Sequence, residues 1–243
     1  MSPACAGPVR GPDWLPIVLV PGLLCTPRLY ADQLTALWRF GQVTVADHAR
    51  DDSVAGIARR LLTAAPPRFA LVGLSMGGYT AFEVMRQEPD RVVRLALLDT
   101  AARADTPEQS ERRRGLMALA RDGRFAEVLE PLFLSWVHRD HRADDGLRRI
   151  VRRMAEDTGP DAFIRQQTAI MSRPDSRPGL GAIRCPTLVL VGDGDESTPP
   201  DRAVEIAEGI PGSRLVTIPE AGHLTTLEQP GRVNQALLGW LQS

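Results

Sequence analysis

The stretch that decides the fold of this chain is FALVGLSMGGYTAFEVM, at residues 69–85. Its first five residues form a short apolar run that predicts a buried strand, and the pattern over residues 76–87 predicts a helix directly after it. Ser75 lies at the junction, in the sequence Gly-Leu-Ser-Met-Gly. Such a sharp turn strains the serine backbone and needs glycine two residues to either side, because side chains there would collide with the strand and the helix. The turn would leave the serine hydroxyl exposed at the end of the strand.

Short apolar runs rich in Val, Ile and Leu recur along the chain, with helical patterns between them. They predict strands at residues 17–20, 43–46, 69–73, 92–99, 187–192 and 214–219. The helical patterns predict helices at residues 29–39, 54–65, 76–87, 201–208 and 232–241. Continuous apolar runs are typical of strands covered on both faces of a parallel sheet. The alternation therefore predicts an α/β fold with a doubly wound, mostly parallel sheet.

One interval breaks this alternation. Between Asp99 and Thr187 no strand pattern occurs, and helices are predicted at residues 107–121, 125–137, 144–157 and 160–171, with Asp-Gly and Thr-Gly-Pro breaks among them. We interpret this interval as a helical insertion that lies over the sheet. The predicted organisation is a sheet domain of residues 1–102 and 181–243 that carries an insertion of residues 103–180.

The charged residues exclude several classes of function. All 29 positively charged side chains are arginine and the chain has no lysine. It therefore cannot build a Schiff base, a pyridoxal phosphate anchor, a phosphate-binding loop lysine or a serine–lysine dyad. The formal net charge of -1 argues against unspecific binding to nucleic acid or to an anionic membrane. We expect any partner to be recognised at a specific site.

The cysteines and the apolar segments bear on the cellular location. Cys5, Cys25 and Cys185 are odd in number and far apart, so neither a disulfide framework nor a zinc knuckle is predicted. The longest compact apolar stretch, residues 15–24, contains two prolines and is far shorter than the roughly 20 residues of a membrane span. Residues 1–13 lack the apolar core of a signal peptide. We expect a cytoplasmic protein without a metal or a cofactor.

Histidine is the natural partner of Ser75, because a serine hydroxyl needs a base to become a nucleophile and the chain has no lysine. Ligands of open parallel sheets bind at the carboxyl ends of the strands. His223 directly follows the last predicted strand and is the predicted base. His48 follows the second strand and is a candidate for the pocket rim. His138 and His141 have a spacing that could hold a metal, although two histidines without a third ligand more often mark a solvated helix end.

The predicted base requires an acceptor on its second ring nitrogen, which fixes its tautomer and stabilises its charged form. The loop at residues 193–200, DGDESTPP, follows the fifth predicted strand and is rich in carboxylates. Asp195 is the predicted acceptor, because the order serine, acid, histidine is expected for this type of elbow. Asp193 and Glu196 are expected to form the turn or to face solvent. Asp99, at the end of the fourth strand, is a second candidate.

The loop after the first strand, PGLLCT at residues 21–26, can pass close to the serine because Gly22 has no side chain. Negative charge that develops on a carbonyl oxygen attacked by Ser75 needs hydrogen-bond donors, and main-chain amides suit that role. We predict the amide of Met76, at the start of the helix, and the amide of Leu23. Each such donor is worth about 3 to 4 kcal/mol of barrier, so one amide alone would leave a weak enzyme.

Four segments together carry a family resemblance: PGLLCTPRLY, GLSMGG, LVLVGDGDESTPP and EAGHLTTLEQP. In this order they are similar to the oxyanion loop, nucleophile elbow, acid loop and histidine loop of the alpha/beta-hydrolase superfamily, and the resemblance runs from about residue 15 to the end. It implies a helical cap in place of the insertion and a sheet of about six to seven strands. It also implies Ser75 as nucleophile, His223 as general base and then acid, Asp195 as its orienting partner, and the amides of Leu23 and Met76 as the oxyanion hole.

The resemblance also implies a function. The short chain and compact insertion are similar to small carboxylesterases and enol-lactonases, which implies a serine hydrolase that cleaves a small ester or lactone through an acyl-enzyme on Ser75. Phe133, Trp136 and Met171 are candidates for the acyl pocket, although such residues at helical spacing more often belong to the core. Two alternatives stay open: a carbon–carbon bond hydrolase of a dienoic acid, with a cap arginine pairing the carboxylate, and a ligand receptor with slow turnover. We expect a monomer or a homodimer.

Overall fold

A computed structural model describes residues 14–243 of the chain. Residues 1–13, which include Cys5 and the segment assessed for a signal peptide, lie outside the described residues. Six strands form one sheet: β1 Ile17–Val20, β2 Val43–Val45, β3 Phe69–Leu74, β4 Val92–Leu98, β5 Thr187–Gly192 and β6 Arg214–Ile218. Their order is β2-β1-β3-β4-β5-β6, and every neighbouring pair is parallel. The predicted fold class is confirmed, with a six-stranded sheet.

Helices connect the strands. Their bounds are α1 Ala31–Leu37, α2 Val54–Ala64, α3 Met76–Gln87, α4 Pro107–Arg121, α5 Ala126–Trp136, α6 Asp145–Met171, α7 Pro200–Gly209, α8 Thr225–Glu228 and α9 Pro230–Gln242. The two helices predicted at residues 144–157 and 160–171 form one element, α6, with a kink at Gly159, whose φ is 78°. The kink arises because Pro160 has no N–H for the helical ladder and glycine tolerates a positive φ. The short helix α8 is not among the predicted helices.

The sheet carries a hydrophobic core on each face. Strands β1, β3 and β5 are buried along their whole length, whereas the edge strands β2 and β6 are partly exposed. Side chains alternate between the faces, so Ile17 and Leu19 belong to one core while Val18 and Val20 belong to the other. Helices α1 and α9 pack on the first face and helices α2, α3 and α7 on the second. This arrangement leaves the carboxyl ends of the strands for the loops that hold the predicted site.

Helices α4, α5 and α6 lie between β4 and β5 in the chain, and we call these three helices the cap. Helix α4 begins with a capping box, in which Thr106 Oγ1 accepts from the amide of Gln109 and the Gln109 side chain accepts from the amide of Thr106. Helix α6 has Asp144 as its N-cap residue, whose carboxylate accepts from two main-chain amides. The limits of the insertion, residues 103–180, stay a prediction. No helix within residues 14–243 is both long and apolar enough to cross a membrane.

Candidate active site

Ser75 lies at the sharp junction between β3 and α3. Its φ of 54° is in the left-handed region, which is uncommon for residues other than glycine. A Cβ atom placed on Gly73 would overlap the carbonyl group of Gly77, and one placed on Gly77 would overlap the carbonyl oxygen of Val20. The two glycines therefore allow the strand, the helix and the neighbouring loop to approach one another closely, which holds Ser75 at the end of the strand.

Three predicted side chains meet at the carboxyl ends of the strands. His223 Nε2 lies 2.8 Å from Ser75 Oγ, and His223 Nδ1 lies 2.8 Å from Asp195 Oδ2. A carboxylate can only accept, so Nδ1 carries the proton and the unprotonated Nε2 accepts from the Ser75 hydroxyl. Both His223 and Asp195 are buried. The histidine is therefore fixed in the tautomer that can take a proton from the serine.

Asp195 is held by its own loop. Its Oδ1 accepts from the amides of Ser197, at 2.8 Å, and Thr198, at 2.9 Å, while Thr198 Oγ1 donates to Oδ2 over 2.8 Å. These donors stabilise the negative charge of the carboxylate and fix its orientation. Asp193 and Glu196, from the same loop, make no hydrogen bond to the imidazole.

Asp99, the second candidate for the orienting acid, is fully buried and has other partners. Its Oδ1 accepts from the amide of Gly192 over 3.1 Å, and Thr225 Oγ1 lies 2.5 Å from its Oδ2. Burial, and secondly the nearby carboxylate of Asp195, raise the pKa of Asp99 well above its ordinary value. The structure therefore places Asp195, and not Asp99, against the ring of His223.

The two predicted oxyanion donors are free to bind a ligand. Neither the amide N–H of Leu23 nor that of Met76 donates a hydrogen bond within residues 14–243. Met76 is the first residue of α3, where a helix leaves its amides unpaired. Leu23 lines the same cavity as Ser75 and His223. This cavity has a volume of about 280 Å³, which is just below the usual range of about 300 to 1,000 Å³ for ligand pockets.

Known proteins share the fold and the sequence pattern of this chain. The sequence pattern of the alpha/beta hydrolase fold family matches residues 41–230, which is more than half of the chain. The chain belongs to the alpha/beta hydrolase fold family. An esterase from Thermogutta terrifontis, solved with malate bound, has a TM-score of 0.86 and 32% identity, and the match covers 94% of this chain and 89% of the esterase.

Two further proteins are similar to this alpha/beta hydrolase along most of the chain. The enol-lactonase from Burkholderia xenovorans LB400 has a TM-score of 0.86 and 25% identity, with 97% of this chain and 94% of the enol-lactonase covered. The pimeloyl-(acyl-carrier protein) methyl ester esterase of Nitrosomonas europaea is 28% identical over 214 residues, which are 82% of this chain and 83% of the esterase.

The cap of this alpha/beta hydrolase contributes one of the three predicted pocket residues to the cavity. Trp136, at the end of α5, lines the cavity beside Ser75. Phe133 does not: it lines a separate cavity between α5 and α6, where the Arg148 guanidinium lies 4.4 Å from the centre of its ring. Met171, at the end of α6, also does not line the cavity beside Ser75. The cavity lining does not support the predicted place of Phe133 and Met171 in the acyl pocket. Helical spacing alone does not indicate which side of α5 or α6 faces the serine.

One further candidate from the sequence, His48, has different surroundings from those expected. His48 does not line the cavity rim; it is buried behind the first loop with its Nε2 2.8 Å from the carbonyl oxygen of Gly22. Burial lowers the pKa of His48, so its neutral form is favoured. Cys25 does line the cavity, but burial raises the pKa of its thiol to about 12. A thiol with this pKa stays protonated near neutral pH and does not compete with Ser75 as a nucleophile.

Glu228 is a site residue that the sequence reasoning missed. Its side chain is fully buried, and its Oε1 accepts from the amides of Gly222 and Leu224, at 2.9 and 3.3 Å. Its Oε2 accepts from the amide of His138 over 2.7 Å and lies 2.9 Å from His141 Nδ1. One carboxylate thus joins the histidine loop to the segment that follows α5. The available sequence signal was an acidic residue shortly after the predicted base.

The pair of histidines considered for a metal lies at this contact. The ring centres of His138 and His141 are 5.8 Å apart, and His141 is bound to the carboxylate of Glu228. Within the described part of the chain, no group of three or more His, Cys, Asp or Glu side chains is placed to hold a metal ion.

Proposed function

We propose that the protein is a serine hydrolase that cleaves a small carboxylic ester or lactone through an acyl-enzyme on Ser75. The observation that carries this proposal is the continuous series of contacts from Ser75 Oγ to His223 and from His223 to Asp195, each 2.8 Å long. Among the similar proteins, two are named esterases and one an enol-lactonase, which supports an ester or a lactone as the substrate.

In the proposed first half-reaction, Ser75 Oγ attacks the substrate carbonyl carbon while His223 Nε2 takes the hydroxyl proton. Asp195 stabilises the positive charge that forms on the imidazole. The carbonyl oxygen becomes an oxyanion that accepts from the amides of Leu23 and Met76, where donors are most effective because they are fixed before the reaction. The carbon–oxygen bond to the leaving group then breaks, and His223 gives its proton to the departing alkoxide.

In the second half-reaction, water takes the place of the serine oxygen. His223 removes a proton from the water as it attacks the acyl carbon, and the oxyanion again accepts from the same two amides. Collapse of this intermediate breaks the bond to Ser75 Oγ, which recovers its proton from His223. The products are a carboxylic acid and an alcohol, which are parts of one molecule when the substrate is a lactone.

The test of this proposal is the turnover of p-nitrophenyl acetate and of a small lactone by the wild-type protein and by Ser75→Ala and His223→Ala. Loss of either side chain should lower kcat by about 10⁶ while the circular dichroism spectrum stays unchanged. Turnover by the wild-type protein well below about 1 per second, with ligand-dependent thermal shifts, would favour the slow receptor instead. Either variant with wild-type rates would contradict the assignment.

One observation favours a second candidate, a carbon–carbon bond hydrolase of a dienoic acid. Arg112 on α4 is an exposed residue; it lines the cavity beside Ser75 and makes no ion pair within residues 14–243. The next two arginines are both paired, Arg113 with Asp105 at 2.6 Å and Arg114 with a glutamate one turn before it. An unpaired guanidinium in a cavity suits a substrate carboxylate, which it can bind through two hydrogen bonds.

A pair of substrates tests the role of Arg112 directly. The mono-p-nitrophenyl ester of succinic acid and p-nitrophenyl butyrate have similar acyl chains, but only the first carries a free carboxylate. Arg112→Gln should lower kcat/KM for the succinate ester by about tenfold or more and leave the butyrate ester unchanged. Arg114→Gln, on the same helix, is the control and should change neither. If the wild-type protein also fails to cleave a 2-hydroxy-6-oxodienoic acid, the second candidate is excluded.

A further inference from the structure

The turn that carries Leu23 has an unfavourable conformation. The amide of Cys25 donates to the carbonyl oxygen of Gly22 over 3.1 Å, which closes a four-residue turn. Leu24, at the third position of this turn, has a φ of 58°. A type II turn requires a positive φ at that position, which glycine or asparagine usually occupies. Because a leucine there is disfavoured, contacts from outside the turn are needed to hold it.

His48 supplies the first of these contacts. Its Nε2 lies 2.8 Å from the carbonyl oxygen of Gly22, and because a carbonyl can only accept, Nε2 carries the proton and donates. The C=O and N–H groups of a trans peptide point in opposite directions. Holding the carbonyl of Gly22 towards His48 therefore directs the amide N–H of Leu23 to the other side, and Leu23 lines the cavity that contains Ser75.

Gln166 on α6 supplies the second contact. Its Oε1 accepts from the amide of Leu24 over 3.1 Å, and both residues are fully buried. In a type I turn this central peptide would be reversed, and its N–H would point away from Gln166. The Nε2 of Gln166 has no partner within the described residues. Within the described residues, the bond to Leu24 is therefore the one hydrogen bond of the Gln166 side chain. It favours the type II turn over the type I turn.

The same part of α6 also binds the segment that carries His48. Arg165 Nε donates to the carbonyl oxygen of Ala49 over 2.9 Å. Two adjacent residues of α6 thus contact the turn of Leu23 and the loop after β2. The oxyanion loop is held from the sheet side by His48 and from the cap side by Gln166.

We propose that His48 and Gln166 are positioning residues that direct the amide of Leu23 towards the oxyanion. This inference rests on the proposed function, because an oxyanion forms only if Ser75 attacks a carbonyl group. Neither His48 nor Gln166 lines the cavity, so neither touches the substrate. The cap would then contribute to the chemical step through Gln166, in addition to shaping the pocket.

The test compares two inhibitors, a trifluoromethyl ketone and the corresponding methyl ketone. The first forms a tetrahedral adduct with the serine whose oxyanion needs the two amides, whereas the second binds without forming one. His48→Leu and Gln166→Met each remove one contact. Each should lower kcat and the affinity for the trifluoromethyl ketone by about 10- to 100-fold. KM and the affinity for the methyl ketone should change by less than about threefold, because ground-state binding does not use the oxyanion contact.

Matched variants separate positioning from a general loss of structure. His48→Gln keeps an N–H donor near the place of Nε2 and should recover most of the affinity that His48→Leu loses. Gln33→Met removes another fully buried glutamine, which donates to the carbonyl oxygen of Thr226 in α8. It should lower stability without changing the preference for the trifluoromethyl ketone. If His48→Leu does not fold, Gln166→Met alone decides the question.

Two results would overturn the inference. Folded His48→Leu and Gln166→Met proteins that bind the trifluoromethyl ketone as tightly as the wild type would show that the contacts do not direct the amide. Equal losses for the two ketones would show a role in structure alone. Failure of the proposed function gives a different result, since turnover would then survive Ser75→Ala.

Discussion

The amide of His223 donates to the carbonyl oxygen of Trp136 over 2.7 Å. Trp136 is the last residue of α5, so the predicted base is bound to the cap through the main chain. Gly222, directly before the base, packs so closely on this segment that a Cβ atom would overlap its backbone at Val137 and His138. The position of the histidine therefore depends on the cap, and changes at this contact are expected to alter catalysis without touching the substrate.

Gly222→Ala tests this contact. The added methyl group has no space, so we expect a loss of about 1 to 3 kcal/mol in the free energy of unfolding, as for overpacked cores, and a fall in kcat as the histidine moves. Gly115→Ala is the control, because Gly115 lies within α4 with open space around it and should gain up to about 1 kcal/mol. Urea denaturation measures both. Equal stability of the two variants would argue against a tight contact between the histidine loop and the cap.

Glu228→Gln tests the carboxylate that joins the histidine loop to the segment after α5. In the wild-type protein both carboxylate oxygens accept from main-chain N–H groups. Glutamine places an NH₂ group where one of these oxygens lies, so the N–H groups that bind it are left unpaired in the interior. We expect a loss of about 2 to 3 kcal/mol in stability, which lowers Tm by several degrees in a chain of this size. Differential scanning calorimetry measures the change. A Tm equal to that of the wild type would show that the hydrogen bonds of Glu228 are not needed.

Asp195→Asn and Asp99→Asn separate the two acids proposed for the role of orienting His223. The first substitution would leave the imidazole without its carboxylate acceptor and favour the wrong tautomer, so we expect kcat to fall by about 10⁴. Asp99→Asn should keep most of the activity, because Asp99 binds Gly192 and Thr225 instead of the histidine. Steady-state kinetics with p-nitrophenyl acetate measures both. The reverse order of the two effects would assign the role to Asp99.

The buried carboxyl group of Asp99 should also make stability depend on pH. Burial, with the charge of Asp195 as a smaller cause, raises its pKa above the value of 3.8 that applies when it is exposed. The folded state therefore holds the proton more tightly than the unfolded state, and this contribution to stability is complete below 3.8 and is lost as the pH rises through the raised pKa. Asp99→Asn cannot ionise, so its free energy of unfolding should fall less than that of the wild type as the pH rises above 3.8. Parallel stability curves for the two proteins would contradict a raised pKa.

The strands and most helices of the core could be predicted because their patterns are local. Buried parallel strands need continuous apolar runs, and Val92–Leu98 and Thr187–Gly192 have them. The positions of Ser75, Asp195 and His223 followed from the same logic, since the loops after parallel strands meet at one edge of the sheet. Predicting that these three residues meet required no knowledge of the cap, although the cap helps to hold His223 in place.

The cap contacts could not be predicted from local patterns. Whether Phe133 or Trp136 faces the serine depends on the rotation of α5 against the sheet, which the sequence of α5 does not specify. Gln166 lies 142 positions after Leu24 in the chain, and no spacing rule connects an isolated glutamine to a turn so far away. Glu228 was missed for the same reason, because its partners come from the histidine loop and from the segment after α5.

Detection of the acyl-enzyme tests the proposed role of Ser75 as nucleophile most directly. The protein is mixed rapidly with p-nitrophenyl acetate, quenched with acid and cleaved after arginine, which releases residues 69–86 with Ser75 as the one serine in the peptide. Because the chain has no lysine, acetylation of lysine amines cannot obscure the result. Mass spectrometry should find one acetyl group on this peptide in the wild-type protein and none in Ser75→Ala. Wild-type turnover without an acetylated peptide, or the same acetylation in Ser75→Ala, would contradict the account.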